Sequence, residues 1–250
     1  MLKRILLFVD GSPEMLATAA AALNLARIHG GQLLLYPVAA RKAEHGADLT
    51  EEQRFAPILQ MAENAGVGVQ VLATTAAPFR TGLPWALTAD LAVVPYPDSE
   101  HSARCEKRLG GLLTRGGCPV LLPCTESGTS RTVAIAWDGS GTCARALKLH
   151  LQLFHRPHYH YLLLHIGAAP DSAQYILDQG CALVEAHGAT VETLALSGDP
   201  AERLLEICAA VHPGHLLLAP GLRRLVLKQR FGRTSKSVLR ARSISLFFAG

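Results

Sequence analysis

"FVDGS" at residues 8–12 returns as "AWDGS" at residues 136–140, about half a chain later in a sequence of 250 residues. Each copy follows a short apolar run, Ile5–Val9 in the first case and Val133–Trp137 in the second, and each precedes a segment able to start a helix. In the first copy Ser12 is suited to the N-cap. Pro13 suits the first helical position, where a missing N–H costs nothing, and Glu14 suits the first turn, where the helix dipole favours an anion. The unit predicted is strand, tight acidic turn, helix. Among many alanines, Leu16, Leu23 and Ile28 carry that helix to His29-Gly30, where glycine can take the left-handed conformation that ends it.

Working outward, "QLLLYPV" (32–38) reads as a buried strand, followed by a helix near 50–65, a strand at 67–73 and a short helix near 80–88. "DLAVVPY" (90–96) is a further strand, then come a polar loop, a helix near 103–115 and a last strand, "CPVLLPC" (118–124). Five strands alternating with four helices predict a mainly parallel sheet with helices on both faces. "SGTS" (127–130) is small and polar, as a linker should be, and beyond it the order repeats. Strand and turn occupy 132–140, a helix "CARALKLHLQLF" (143–154), a strand "YHYLLLHI" (159–166), a helix 171–187 ending at His187-Gly188, and a strand "TVETLAL" (190–196). "DPAERLLEICAAV" is a helix with Pro200 and Glu202 at its start, "HLLLAPG" a strand, and a basic segment leads into a helix near 233–241 and the strand "ISLFFA". The fold class is therefore α/β: two tandem doubly wound domains, 1–126 and 131–250, each a five-stranded mainly parallel sheet with flanking helices.

Composition sets the outer limits. With 49% hydrophobic and 18% charged residues the chain can bury a core and lacks the bias of a disordered protein. Its apolar runs fall far short of the ~20 residues a membrane helix needs, so no span is expected. "MLKRILLFVDGS" reads as a first strand instead of a signal peptide. Six cysteines without a CxxC pair favour reduced thiols in a cytoplasmic protein. A net charge of +4 does not point to nucleic acid.

These features resemble the universal stress protein family in its tandem form. The resemblance rests on a strand ending Val-Asp-Gly-Ser or Trp-Asp-Gly-Ser, a helix ending His-Gly, a second strand ending His165-Ile166, the turn Gly198-Asp199-Pro200-Ala201, and the terminal "CPVLLP". It implies the adenine nucleotide alpha hydrolase-like fold and intramolecular pairing of the two domains, since family members dimerise through their last strands. It also implies a stress-response or regulatory role with an unidentified protein partner, and allows a homodimer. Many members hold ATP at the carboxyl edge of the sheet, which is where open α/β sheets collect ligands.

Carried over residue by residue, the nucleotide contacts in the second domain are Asp138, the main chain at Ile166, Gly221, and the turn Gly232, Arg233 and Thr234. In the first domain the matching positions are Asp10 and Val38. The family's glycine loop of the form G-x-x-G-(nine residues)-G-[ST] is largely lost. In the first half Glu106-Lys107 stand where its Gly-Ser would be; in the second, Ala219, Pro220, Leu222 and Arg223 replace the leading glycines and Arg233 follows Gly232. Cations crowd 223–242, and side chains there could hold an anion such as the phosphate of ATP or AMP in place of the backbone. They could equally form a solvated face. Asp10 and Asp138 could likewise be turn residues accepting local N–H bonds. His155, His158, His160 and His165 invite a metal reading, but no cysteine or carboxylate stands at ligand spacing beside them and no metal is expected. Neither a Walker loop nor a G-x-S-x-G elbow occurs, so no catalytic residue is assigned and weak ATP hydrolysis is the one activity left open. The two main functional expectations are a nucleotide-sensing regulatory protein and a nucleotide-independent interaction module; a third is weak, salt-sensitive nucleic-acid binding through the 223–242 cations.

Overall fold

The computed structural model describes residues 2–38, 51–73, 75, 78–96, 102–124, 130–154, 159–167, 170–220, 223–225 and 228–249; of these, 51–52, 102–105, 170–172, 223–225 and 228–230 are described by backbone alone. The chain divides into two compact units: Met1–Pro97 with Gly111–Thr125, and Asp98–Gly110 with Glu126–Gly250.

In unit 1 the strands are β1 (Arg4–Val9), β2 (Gln32–Pro37), β3 (Val69–Val71), β4 (Leu91–Val93) and β5 (Val120–Leu122). They lie in the order β3-β2-β1-β4-β5 and every pair is parallel. Helices α1 (Met15–His29), α2 (Glu51–Ala65) and α3 (Phe79–Ala86) make the connections. Strands of a parallel sheet covered on both faces read as continuous apolar runs, and Ile5–Val9 and Leu33–Leu35 are accordingly buried throughout. β3 is shorter than the predicted 67–73: Val69–Val71 register with Leu33–Leu35, and single bonds joining Gly68 and Leu72 to β2 flank the ladder.

Helix α1 ends as expected, with Gly30 at φ 60° donating its N–H to the carbonyls of Ala26 and Arg27. Its start corrects the sequence reading. Pro13 and Glu14 form a turn in which Met15 N–H donates to the Ser12 carbonyl at 3.0 Å, and the helix opens at Met15. Ser12 thus lies two residues before the N-cap position, Glu14, and its Oγ has no hydrogen-bond partner among the described residues.

In unit 2 the strands are β6 (Thr132–Ala136), β7 (His160–Ile166), β8 (Thr190–Leu196), β9 (His215–Leu218) and, after a short antiparallel ribbon of β10 (Arg223–Leu225) and β11 (Lys228–Arg230), β12 (Leu246–Phe248). Their order is β12-β9-β6-β7-β8, again all parallel. Thus β6, β7, β8, β9 and β12 repeat the arrangement of β1 to β5. Helices α5 (Gly141–Phe154), α6 (Pro170–Glu185), α7 (Pro200–Val211) and α8 (Arg233–Ala241) belong to this unit. So does the first ten-residue helix of the polar stretch after β4, α4 (Ser102–Gly111), apart from its last residue. Although α4 precedes the second repeat in sequence, Glu106 Oε2 meets Lys236 Nζ on α8 at 3.1 Å. The basic ribbon β10–β11 was not anticipated, because "RRLVLKQR" carries no Gly, Asn or Pro turn signal. No described helix is long and apolar enough to cross a membrane.

Candidate functional site

In each unit the chain leaves the first strand toward β2 or β7 on one side and later returns to β4 or β9 on the other. The strand order therefore reverses between β1 and β4 and between β6 and β9. Such a switch point leaves a crevice outside the strand carboxyl ends. Asp10 follows β1 and Asp138 follows β6 at these two places.

The repeated turns have one geometry. Asp10 Oδ1 accepts the Ser12 N–H at 3.1 Å and Asp138 Oδ1 accepts the Ser140 N–H at 2.8 Å. Between them Gly11 and Gly139 sit at φ 74° and 72°, in the left-handed region where a side chain is strained. One carboxylate oxygen of each aspartate therefore serves the turn. Asp138 is exposed and Asp10 half-buried. The second turn is the more tightly built. Ser140 Oγ accepts the Cys143 N–H at 3.2 Å, a true N-cap for α5, and a Cβ on Gly139 would stand 3.1 Å from Ile176 Cγ2 on α6. Behind Asp138, the indole of buried Trp137 donates from Nε1 to the Ile176 carbonyl at 2.7 Å.

On the β7 side, Ile166 is half-buried and registers with Leu196 of β8, and the next residue, Gly167, donates its N–H to the Leu196 carbonyl at 3.0 Å. His165 ties the two strand ends together: its Nδ1 lies 3.0 Å from the Trp137 carbonyl. A carbonyl only accepts, so Nδ1 is the donor of this bond, which in a neutral ring leaves Nε2 as an acceptor. That Nε2 would stand 2.9 Å from a Cβ on Gly167, so the ring lies close against the backbone at the strand end. In unit 1, Val38 is buried and its N–H is spent on the Val9 carbonyl at 2.7 Å.

On the β9 side, α8 is drawn to the strand end by two bonds, Ser235 Oγ to the Ala219 carbonyl at 3.3 Å and Gly232 N–H to the Pro220 carbonyl at 3.5 Å. Gly232 is the N-cap of α8 and supplies no side-chain cap, so the helix presents its first N–H groups and the positive end of its dipole uncapped. Arg233 is exposed but engaged: its guanidinium pairs with Asp199, the N-cap of α7. The N–H groups of Glu202 and Ala201 and the Arg233 guanidinium hold the Asp199 carboxyl below its ordinary range, against a desolvation that pushes the other way. Thr234 is half-buried in the same turn, and Gly221 lies outside the described residues.

The fold therefore brings Asp138, Ile166 and Gly232–Thr234 to one edge of unit 2. Sequence reasoning used His165 as a landmark of the second strand's end and as a metal candidate, and missed its bond to the Trp137 carbonyl; the signal was its position next to Ile166 at the strand end. Among the described residues no three His, Cys, Asp or Glu side chains converge to hold a metal. Cys143, beneath the turn, is a core thiol: burial pushes its pKa up to about 12, and Sγ donates to the Ala136 carbonyl at 3.2 Å.

No family model matches the chain, and no curated protein matches it. Solved structures do. A universal stress protein from Archaeoglobus fulgidus DSM 4304 superposes with a TM-score of 0.74 at 17% identity, over 98% of this chain and 95% of that one. A functionally unknown protein from Pseudomonas aeruginosa PAO1 gives 0.67 at 17% identity, over 99% and 92%. The fold of the chain, through both repeats, is that of a universal stress protein.

Proposed function

From that fold, we propose that the chain is a regulatory protein of the universal stress type, acting in the cytoplasm, with domains 1–126 and 131–250 and a nucleotide site in the second. The ligand is an adenine nucleotide, AMP or ATP. Asp138 and the Ile166 main chain receive its sugar and base, and the turn Gly232, Arg233 and Thr234 receives its phosphate. The observation that carries this reading is the pairing of opposite polarities across the β6–β9 switch point. Acceptors, Asp138 and His165 Nε2, stand beside the end of β6, and the uncapped N-terminus of α8 is bonded to the end of β9. Acceptors suit hydroxyl and amino donors, and a helix N-terminus suits a phosphate. The reading is that of a binder: the thiol beneath Asp138, Cys143, is held protonated by burial and supplies no nucleophile.

Titration calorimetry of the full chain with AMP and ATP is expected to give heat, and Asp138→Ala to weaken the affinity by roughly 10-fold or more, the scale of a lost charged hydrogen bond. No heat with either nucleotide, together with no nucleotide carried through purification, refutes the site. One observation favours the second reading, a nucleotide-independent interaction module: Arg233 already has an anion, Asp199.

A further inference from the structure

We propose that β8 is a self-pairing edge, through which two copies of this chain associate by antiparallel pairing of their β8 strands about a twofold axis at Thr193. β8 ends the strand order of unit 2 and is paired with β7 along all of Thr190–Leu196. The Leu196 carbonyl accepts from Gly167, so it faces the β7 side. Backbone groups alternate along a strand, so Thr190, Glu192 and Leu194 also turn theirs to β7, and Val191, Thr193 and Ala195 turn theirs outward. Every residue of the strand is exposed or half-exposed.

Proteins blunt such edges with lysine, proline, bulges or extreme shortness. "TVETLAL" has no lysine or proline, and its register with β7 runs without a bulge. The edge of unit 1, by contrast, is the three-residue β3. β8 is also complementary to itself. With Thr193 on the axis, Val191 faces Ala195 of the copy, Thr193 faces Thr193, and each outward N–H meets an outward carbonyl. Threonine opposite threonine is a favourable cross-strand pair. On the other sheet face Thr190 meets Leu196 and Glu192 meets Leu194, so the one charge of the strand is not set opposite its own copy. Its carboxylate lies 3.5 Å from His160 Nε2 on the neighbouring strand β7. Each of these favours a second copy over an unrelated extended peptide. Two seven-residue strands bury less than the ~1,200 Å² of a stable interface, so the association is weak and concentration-dependent.

Sedimentation velocity on the full chain, from about a micromolar to about a millimolar, tests this. The wild type is expected to move from monomer to dimer across that range. Thr193→Lys sets like charges opposite each other at the axis, and Thr193→Pro deletes an outward N–H without touching the β7 ladder; each is expected to raise the dissociation constant by at least about tenfold. Circular dichroism and the melting temperature should stay at wild-type values in both. If the proline variant loses its fold, the lysine variant, which keeps its N–H, decides. A wild type that stays monomeric throughout overturns the proposal and leaves the edge to a foreign strand. So does a dimer that a folded Thr193→Lys variant leaves unchanged.

Discussion

Lowering the pH should unfold this protein from a particular place. His150 of α5 lies wholly buried, with its Nδ1 3.3 Å from the Tyr161 hydroxyl of β7 and its Nε2 3.2 Å from Nδ1 of His215 at the start of β9; Phe154 and Phe247 pack against the ring. One proton per neutral ring satisfies this chain of groups in either direction, so the cost of charging it is desolvation rather than a lost hydrogen bond. Among the described residues the titratable group against the pair is Tyr161, whose own pKa burial pushes up, with Tyr159 beyond it, and no described carboxylate offsets the burial. Burial lowers His215 from 6.5 to about 4, and burial followed by the neighbouring His215 puts His150 well below 6.5.

Both rings are neutral in the folded chain at pH 6, while the unfolded chain takes up protons below about 6.5. Their contribution is therefore intact above pH 6.5 and is lost as the pH falls toward the folded values. For His215 the interval of about 2.5 pH units at ~1.4 kcal/mol each gives about 3.5 kcal/mol. Part of the ring still touches water, which reduces the figure to about 2 kcal/mol, or roughly 4–8 °C in melting temperature for a chain of this size. His150 adds to it with the same sign. Thermal unfolding followed by circular dichroism at pH 7 and pH 4.5 measures the total, and His150→Gln with His215→Gln isolates it from the carboxylates. The double variant is expected to be less stable at pH 7 and to show a flatter slope between pH 6.5 and 4.5. A slope equal to that of the wild type refutes the reasoning.

Two further outcomes follow from packing. Gly82→Ala would put a Cβ 2.7 Å from Tyr36 Cε1 and 2.8 Å from Phe8 Cε1, so denaturant unfolding should show a loss of about 1–3 kcal/mol from overpacking. Cys118, Cys143 and Cys208, each pushed by burial to a pKa of about 12, should resist a thiol reagent at pH 8 in the native chain and react once it is unfolded. Labelling of Cys143 in the native state would show that the floor beneath Asp138 opens.

Much of this architecture was legible because its signals are local. Asp199 with Pro200 and Glu202 announces a helix start, and the aspartate does accept the Ala201 and Glu202 N–H groups. His29-Gly30 and His187-Gly188 announce helix ends, and both glycines are left-handed. Buried runs such as Leu33–Leu35 could not be hidden in a parallel sheet. What failed depended on partners distant in sequence or on a single intervening residue. Ser12 and Ser140 occupy the same place in the repeat, yet only Ser140 caps, because Pro13-Glu14 spends a turn before the first helix begins. The candidate site was legible in the position of Asp138 and in the loss of its glycines. That Arg233 is spent on Asp199, and that His165 lies against the Trp137 carbonyl, are contacts between separate strand ends that no spacing reveals.

The position of α4 bears on synthesis. The helix leaves the ribosome with the first repeat, but Lys236, its ion-pair partner, is made only with the second. Glu106 must therefore stay without that cation while the second repeat is translated, and unit 2 closes only when a piece made early is reclaimed. Severing the chain at the small polar stretch 127–130 would leave α4 on the first fragment and the rest of unit 2 on the second.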